Sequence, residues 1–118
     1  MHIEDLREYC LSKKGVEESF PFDSETLVFK VMTKMFLLTG LNHTPLEFNV
    51  KCDPEKAIEL RGQHSCVLPG FHMNKTHWNT IVCDGTVNDK TLKQWIDHSY
   101  ILVVKSLTKK QREELGQD

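Results

Sequence analysis

The stretch that decides the fold is residues 25–40, ETLVFKVMTKMFLLTG. Leu27, Phe29 and Val31 alternate with Val28, Lys30 and Met32, the period of an extended chain. Met35 to Leu38 make a second, short apolar run, and Thr33-Lys34 reads as the turn between the two. Together they predict a β-hairpin with strands near residues 26–32 and 35–39.

The reading extends outward from this hairpin. Gly40 to Pro45 is a loop. In LEFNVKC, residues 46–52, Leu46, Phe48 and Val50 alternate with Glu47, Asn49 and Lys51, which predicts a strand with one buried face. In CDPEKAIELRGQ, Asp53 caps a helix and Pro54 sits where its missing N–H is harmless. Gly62 stops that helix, so it spans residues 54–61, with Ala57, Ile58 and Leu60 on its apolar side. SCVLPGF is a brief strand broken at Pro69-Gly70. NTIVCDG is a strand ending in an Asp84-Gly85 turn. Asn88 or Asp89 opens a longer helix to Ser106, with Leu92, Trp95, Ile96, Leu102 and Val103 apolar. TKKQ, from Thr108 to Gln111, matches a capping box that opens a last helix. At the other end, Ile3, Leu6, Cys10 and Leu11 fall at helical spacing in residues 2–14. Lys13, Lys14 and then Gly15 read as that helix's C-terminus. The order helix, three strands, helix, two or three strands, helix, helix predicts a two-layer α+β fold. It has an antiparallel sheet with the helices on one face. The 118 residues fit one domain, residues 1–118.

Composition narrows the function classes. No apolar run approaches the ~20 residues needed to span a bilayer. The N-terminus, MHIEDLREYC, is polar and acidic where a signal peptide is basic and then apolar. Cys10, Cys52, Cys66 and Cys83 are widely spaced and form no C-x-x-C pair, so free thiols in a reducing cytoplasm are expected. The formal net charge is −2, so any basic patch has to be local.

The chemistry-bearing stretch is PGFHMNKTHWNT, residues 69–80. Zinc needs four ligands at short regular spacings; His72 and His77, with His64-x-Cys66 nearby, lack that pattern. On an extended segment His72 and His77 also point to opposite faces. Cys66 with His64 or His72 is the one local Cys-His candidate, and it has no orienting third group in sequence. No nucleophile elbow or phosphate-binding glycine loop is present. The expectation is therefore no enzyme activity, no metal and no cofactor. Nucleic-acid chemistry fits the vocabulary of the stretch better. Lys75 can meet a phosphate and Trp78 can stack on a base. Asn74 and Asn79 can read base edges. Lys34 at the hairpin tip adds a second basic point. From Glu47 to Thr80, however, Lys51, Lys56, Arg61 and Lys75 are balanced by Glu47, Asp53, Glu55 and Glu59. The basic cluster from Lys105 to Arg112 reads as a solvated helix end. Taken from the residues alone, the stretch is first a corner whose side chains satisfy turns.

The motifs SFPFD (19–23), KMF (34–36), KCDPE (51–55), PGFHMNKTHWNT (69–80) and SYILVVKSL (99–107) resemble the MmcQ/YjbR family of small bacterial proteins. The resemblance runs from about residue 3 to residue 113. It implies a CyaY-like, frataxin-like two-layer α+β fold and a predicted DNA-binding role through a double-wing motif. The family is not known for an enzymatic activity. Its signature carries over onto His72, Asn74, Lys75, His77 and Trp78. Two positions depart from its pattern: Asp23 stands where the family usually has Gly, and Ile101 where it often has Asp. A frataxin-like fold also raises iron binding, for which Glu4, Asp5, Glu8, Glu17 and Glu18 make a thin acidic ridge.

Two expectations follow. A DNA-binding module, with Lys34, Lys51, His72, Asn74, Lys75, His77, Trp78 and Asn79 as its interface, requires a contiguous positive face containing Lys34, Lys51 and Lys75, and a partly exposed Trp78. A protein-interaction or small-ligand module requires acids interleaved with those lysines, a buried Trp78 and an apolar groove or dimer face.

Overall fold

In chain order the elements are α1 (Ile3–Leu11), β1 (Val16–Ser19), β2 (Thr26–Val31), β3 (Lys34–Gly40), β4 (Glu47–Lys51), α2 (Pro54–Gln63), β5 (Val67–Pro69), β6 (Trp78–Val82), α3 (Asp89–Ser106) and α4 (Lys109–Leu115). They come from a computed structural model that describes residues 1–116. The six strands form one sheet in the order β1-β2-β3-β4-β6-β5, every neighbouring pair antiparallel. This is the α+β class that the sequence predicts. No helix of the described residues is long and apolar enough to cross a membrane.

The 25–40 hairpin is present with its turn one residue earlier than predicted. Met32 and Thr33 have φ of 48° and 74°, and Val31 pairs with Lys34. Two positive-φ residues make the turn whose twist matches the flanking strands, and neither is the usual Asn or Gly. Lys34 therefore does not sit at the tip. It opens β3, and its Nζ donates to the Ser106 carbonyl at the end of α3 (3.0 Å), where a cation complements the helix dipole. The first helix also stops early: Leu11 is its last residue, and Lys13 and Lys14 lie beyond it. Gly15 has φ of 74° and leads into β1; a Cβ there would collide with Leu115. Strand β1 was not expected from its sequence. VEES carries a single apolar residue and no alternation, and its ladder with β2 creates the strand.

The predicted caps form. Asp53 accepts from the Lys56 amide, and Asn88, not Asp89, caps α3 by accepting from the Thr91 amide (2.9 Å). Thr108 and Gln111 bond each other's amides at 3.1 Å, a complete capping box.

One face of the sheet buries Leu27, Phe29, Val31, Leu37, Phe48, Val50, Val67 and Ile81 against Leu6 and Cys10 of α1, Ala57 and Leu60 of α2, and Leu92, Trp95, Ile96 and Val103 of α3. The opposite face has only a small cluster, Val28, Leu38 and Trp78 with Met35 and Met73, and no helical residue joins it. Phe29, Phe36 and Phe48 are fully buried, each contributing about 1.5–3 kcal/mol through burial.

Phe36 reaches the core by a β-bulge. Phe29 pairs with Leu37 and Lys30 with Met35, so Phe36 is the extra residue and both Phe36 and Leu37 face the helices. The ladder between β3 and β4 runs from Thr39–Phe48 to Leu37–Val50. One step further, where Phe36 would meet Lys51, the buried Ser99 of α3 is inserted. Its hydroxyl donates to the Phe36 carbonyl (2.5 Å) and accepts from the Lys51 amide (2.9 Å). One residue earlier on α3, His98 Nε2 accepts from the Asp53 amide at the start of α2 (3.2 Å).

Two expected outcomes follow from these ties. Ser99→Ala orphans the bulge carbonyl and the Lys51 amide and lowers stability by about 1–3 kcal/mol, read as a shift of the urea midpoint. His98 is held below its ordinary value of 6.5, first by burial and then by Lys56. The folded chain therefore favours neutral His98, while the unfolded chain takes up a proton below that ordinary value. The contribution is complete above it and is lost as pH falls through the lower, folded value. Urea midpoints of the wild type should thus drop between about pH 7.5 and pH 5 more steeply than those of His98→Gln.

Candidate ligand-binding groove on the open sheet face

Alternation along the strands decides what the uncovered face displays. Phe48 and Val50 point to the helices, so Glu47, Asn49 and Lys51 point away. Across the ladder, Asn49 pairs with Thr80 and Lys51 with Trp78. Thr80 Oγ1 donates to Asn49 Oδ1 (2.5 Å) and accepts from the Phe71 amide (3.0 Å). With its oxygen engaged, Asn49 has its NH2 to offer an acceptor.

Loops from both ends of the sheet build walls around this floor. Residues 20–25 and 41–46 rise beside Gly40 and Glu47. The 70–77 loop starts at the opposite end and folds back across the face. Its two ends are tied by Gly70 N to Trp78 O (3.0 Å), and Asn74 O accepts from the amides of His77 and Trp78. Gly70 is required where the loop crosses β6, because a Cβ would lie 2.9 Å from the Trp78 carbonyl oxygen. Met73 comes down on Trp78, Val28 and Leu38. Asp23 anchors the 20–25 loop by accepting from the amides of Glu25 (2.8 Å) and Thr26 (2.7 Å). Those bonds hold its carboxyl below the usual range. The turn is thus made by the Asp23 side chain, without a positive φ at residue 23.

The result is a groove of about 790 Å3. Leu38, Asn49, Thr80, Met35 and Met73 floor it, and Phe22, Asp23, His43, Glu47, Phe71 and His72 wall it. Phe22 and Phe71 are 63% and 54% exposed. His43 Nδ1 lies 3.2 Å from Glu47 Oε2. A second groove, of about 900 Å3, runs between the start of α1 and the 41–46 loop, along Ile3, Phe20, Leu41, Pro45 and Cys83. Arg7 and Glu18, two of its charged groups, are already paired with each other. The open-face groove lies on the helix-free side of the sheet, where Asn49 leaves its NH2 to offer a ligand.

Of the eight residues singled out from sequence, six gather on the open face and its 70–77 loop, while Lys34 and Asn79 lie elsewhere. Lys34 is exposed at the C-terminal end of α3 and Lys51 stands on the open face. His72, with φ of 57°, lines the groove. Asn74 makes a turn by accepting from the Thr76 amide, and Lys75 folds its Nζ onto the Gly70 carbonyl (3.0 Å). His77 is exposed on the loop. Trp78 is buried, 9% exposed, beneath Met73. Asn79 is on the other face altogether, buried under α2. There it donates to the Ala57 carbonyl (3.4 Å) and accepts from Arg61 Nε (2.7 Å). It cannot reach a base edge. Arg61 also holds the Lys75 carbonyl, which ties the 70–77 loop to α2.

The alternative chemistries separate as well. Cys66 is buried in the main core, His64 packs edge-on against Trp95 (ring centroids 5.1 Å apart), and His72 is across the sheet. All four cysteines are free, and burial pushes Cys10 up to about 12 and Cys83 to about 11. Of the acidic ridge, Glu18 pairs with Arg7 while Glu17 pairs across the ladder with Lys30. Among the described residues no three His, Cys, Asp or Glu side chains are grouped to hold a metal ion.

The residues that sequence reasoning missed are Phe22, Asp23, Met35, Leu38, His43, Glu47, Asn49, Phe71, Met73 and Thr80. The alternation in LEFNVKC marks Glu47 and Asn49 as facing away from the core. Nothing local says that β6 docks beside β4, which supplies Thr80.

The geometry defines a class: a small two-layer α+β protein whose sheet is sealed by helices on one side and fenced only by loops on the other. The family model YjbR matches residues 11–102, and the chain belongs to the YjbR family. It is 35% identical over 117 residues to the uncharacterized protein YjbR of Escherichia coli K12, covering 99% of both chains. Against the uncharacterized protein YyaQ of Bacillus subtilis it is 26% identical over 114 residues, 84% of this chain and 95% of that one. The crystal structure of the Deinococcus radiodurans protein DR2400, of domain family DUF419, superposes with a TM-score of 0.92. The two are 43% identical, over 98% of this chain and 88% of that one. A Pseudomonas syringae crystal structure shares the fold at a TM-score of 0.73 and 24% identity, covering 86% of this chain and 98% of that one.

Arg61→Ala should expose how the loop is held. It leaves the buried Asn79 oxygen without its donor and lowers stability by about 1–3 kcal/mol in chemical denaturation. Amide hydrogen exchange in residues 70–77 should quicken with it.

Proposed function

We propose that the chain is a binding module rather than an enzyme, and that a small-molecule ligand occupies the open-face groove. One observation carries the reading. Phe22 and Phe71, both more than half exposed, flank a concavity on the face without helices. Its size is that of small-ligand sites, about 300–1,000 Å3. Beneath them Asn49 and Glu47 present a donor and an acceptor among apolar side chains, the mix that fixes a ligand's orientation.

DNA binding, suggested by the family resemblance, finds less support in the geometry. Lys34 and Lys75 are turned onto carbonyls. The lysines left on the open face, Lys30 and Lys51, alternate with Glu17 and Glu47. Trp78 is buried rather than available for stacking.

The test is a pair of titrations on one protein sample. Aromatic fragments should shift the amide resonances of Asn49, Phe71, Met73 and Thr80 in two-dimensional nitrogen–proton spectra, and Phe71→Ala should weaken those shifts. Labelled single-stranded and duplex DNA should give no saturable anisotropy change at low salt, where phosphate contacts are strongest. Saturable, salt-sensitive DNA binding weakened by Lys51→Glu, with no fragment binding in the groove, would replace this reading with the nucleic-acid one.

A further inference from the structure

We infer that the groove selects an organic cation, an amine or quaternary ammonium carried on an aromatic or aliphatic body. This rests on the proposal that the groove is a small-ligand site and names the chemistry it takes.

Charge is the first ground. The groove wall holds two carboxylates, Asp23 and Glu47, and two histidines, His72 and, beside Glu47, His43, while no lysine or arginine lines it. The nearest lysine along the loop, Lys75, directs its ammonium to the Gly70 carbonyl instead. An anion entering here would lose hydration beside two like charges with no fixed cation in compensation, whereas an ammonium gains from both. Asp23 is committed to the negative form, since two backbone amides and the Thr26 hydroxyl donate to it.

The second ground is the nature of the apolar surface. Phe22 and Phe71 add exposed aromatic rings to the lining, and aromatic faces attract cations, ammonium groups above all. Met35 and Met73 supply soft, adaptable contacts for the ligand body. The Asn49 NH2 serves a hydroxyl or carbonyl on the same molecule. Carboxylates, aromatic rings and thioethers together suit a cation with an apolar body better than a neutral or acidic one.

The experiment compares three probes of one shape: 2-phenylethylamine, 2-phenylethanol and 3-phenylpropionate. Each is titrated into wild type, Glu47→Gln and Asp23→Asn at about pH 8, where carboxylates are ionised and the amine is still charged. Nitrogen–proton spectra report both affinity and location. The amine should bind most tightly, shifting Asn49, Phe71 and Thr80, and each substitution should weaken it by about threefold. The alcohol should be insensitive to both substitutions, and the propionate weakest of the three. Asp23→Asn keeps an oxygen for the turn, and Glu47→Gln changes a surface side chain, so both variants should fold. Equal affinity for all three probes, or tighter propionate, at the same resonances would overturn the cation inference and leave the ligand site standing. Shifts in the groove from none of the probes would overturn both.

Discussion

The sheet depends on a hydroxyl group. Ser99 sits where β3 and β4 stop pairing and supplies both halves of the missing hydrogen bond, as donor to Phe36 and acceptor from Lys51. Without it, a bulge that drives Phe36 into the helix layer would strand two main-chain groups in a region where unpaired groups are costly. The same contact registers α3 on the sheet. Phe36 then packs edge-on against Tyr100 (5.4 Å between centroids), and His98 reaches the head of α2. Helix and sheet are thereby set in one register by three consecutive residues of α3.

Much of this architecture is legible along the chain because its causes are local. Asp53-Pro54, Asn88 and the Thr108–Gln111 box start their helices where predicted, since a cap needs only the next three residues. The alternation in 26–31 and 47–51 yields strands with the correct face inward. Errors occur where a distant partner decides. VEES becomes a strand because β2 offers it a ladder. Met32 and Thr33 adopt positive φ because the twist of the hairpin demands it, although neither residue prefers it. The order β4-β6-β5 follows from how α2 crosses the sheet, which no window of sequence contains.

The candidate site was less legible for a related reason. The residues that attract attention in PGFHMNKTHWNT are mostly engaged in building their own loop: Asn74, Lys75 and Asn79 satisfy carbonyls and amides, and Trp78 anchors it. A dense polar motif looks the same in sequence whether its bonds are made internally or offered outward. The groove residues come instead from three separate loops and four strands, each contributing a few ordinary residues. Of the residues marked in advance, His72 alone lines the groove.

The insertion of β6 between β4 and β5 has a consequence for the order of folding. The β2–β3 hairpin joins neighbours in sequence, while Glu47 finds Val82 only after α2 and β5 have been passed. Pairing at such separation carries a larger loop-closure entropy and forms late. The groove needs that last step, because Thr80 and the folded-back 70–77 loop arrive with β6. Whatever binds there recognises the finished molecule alone, and by mass action draws the population toward it.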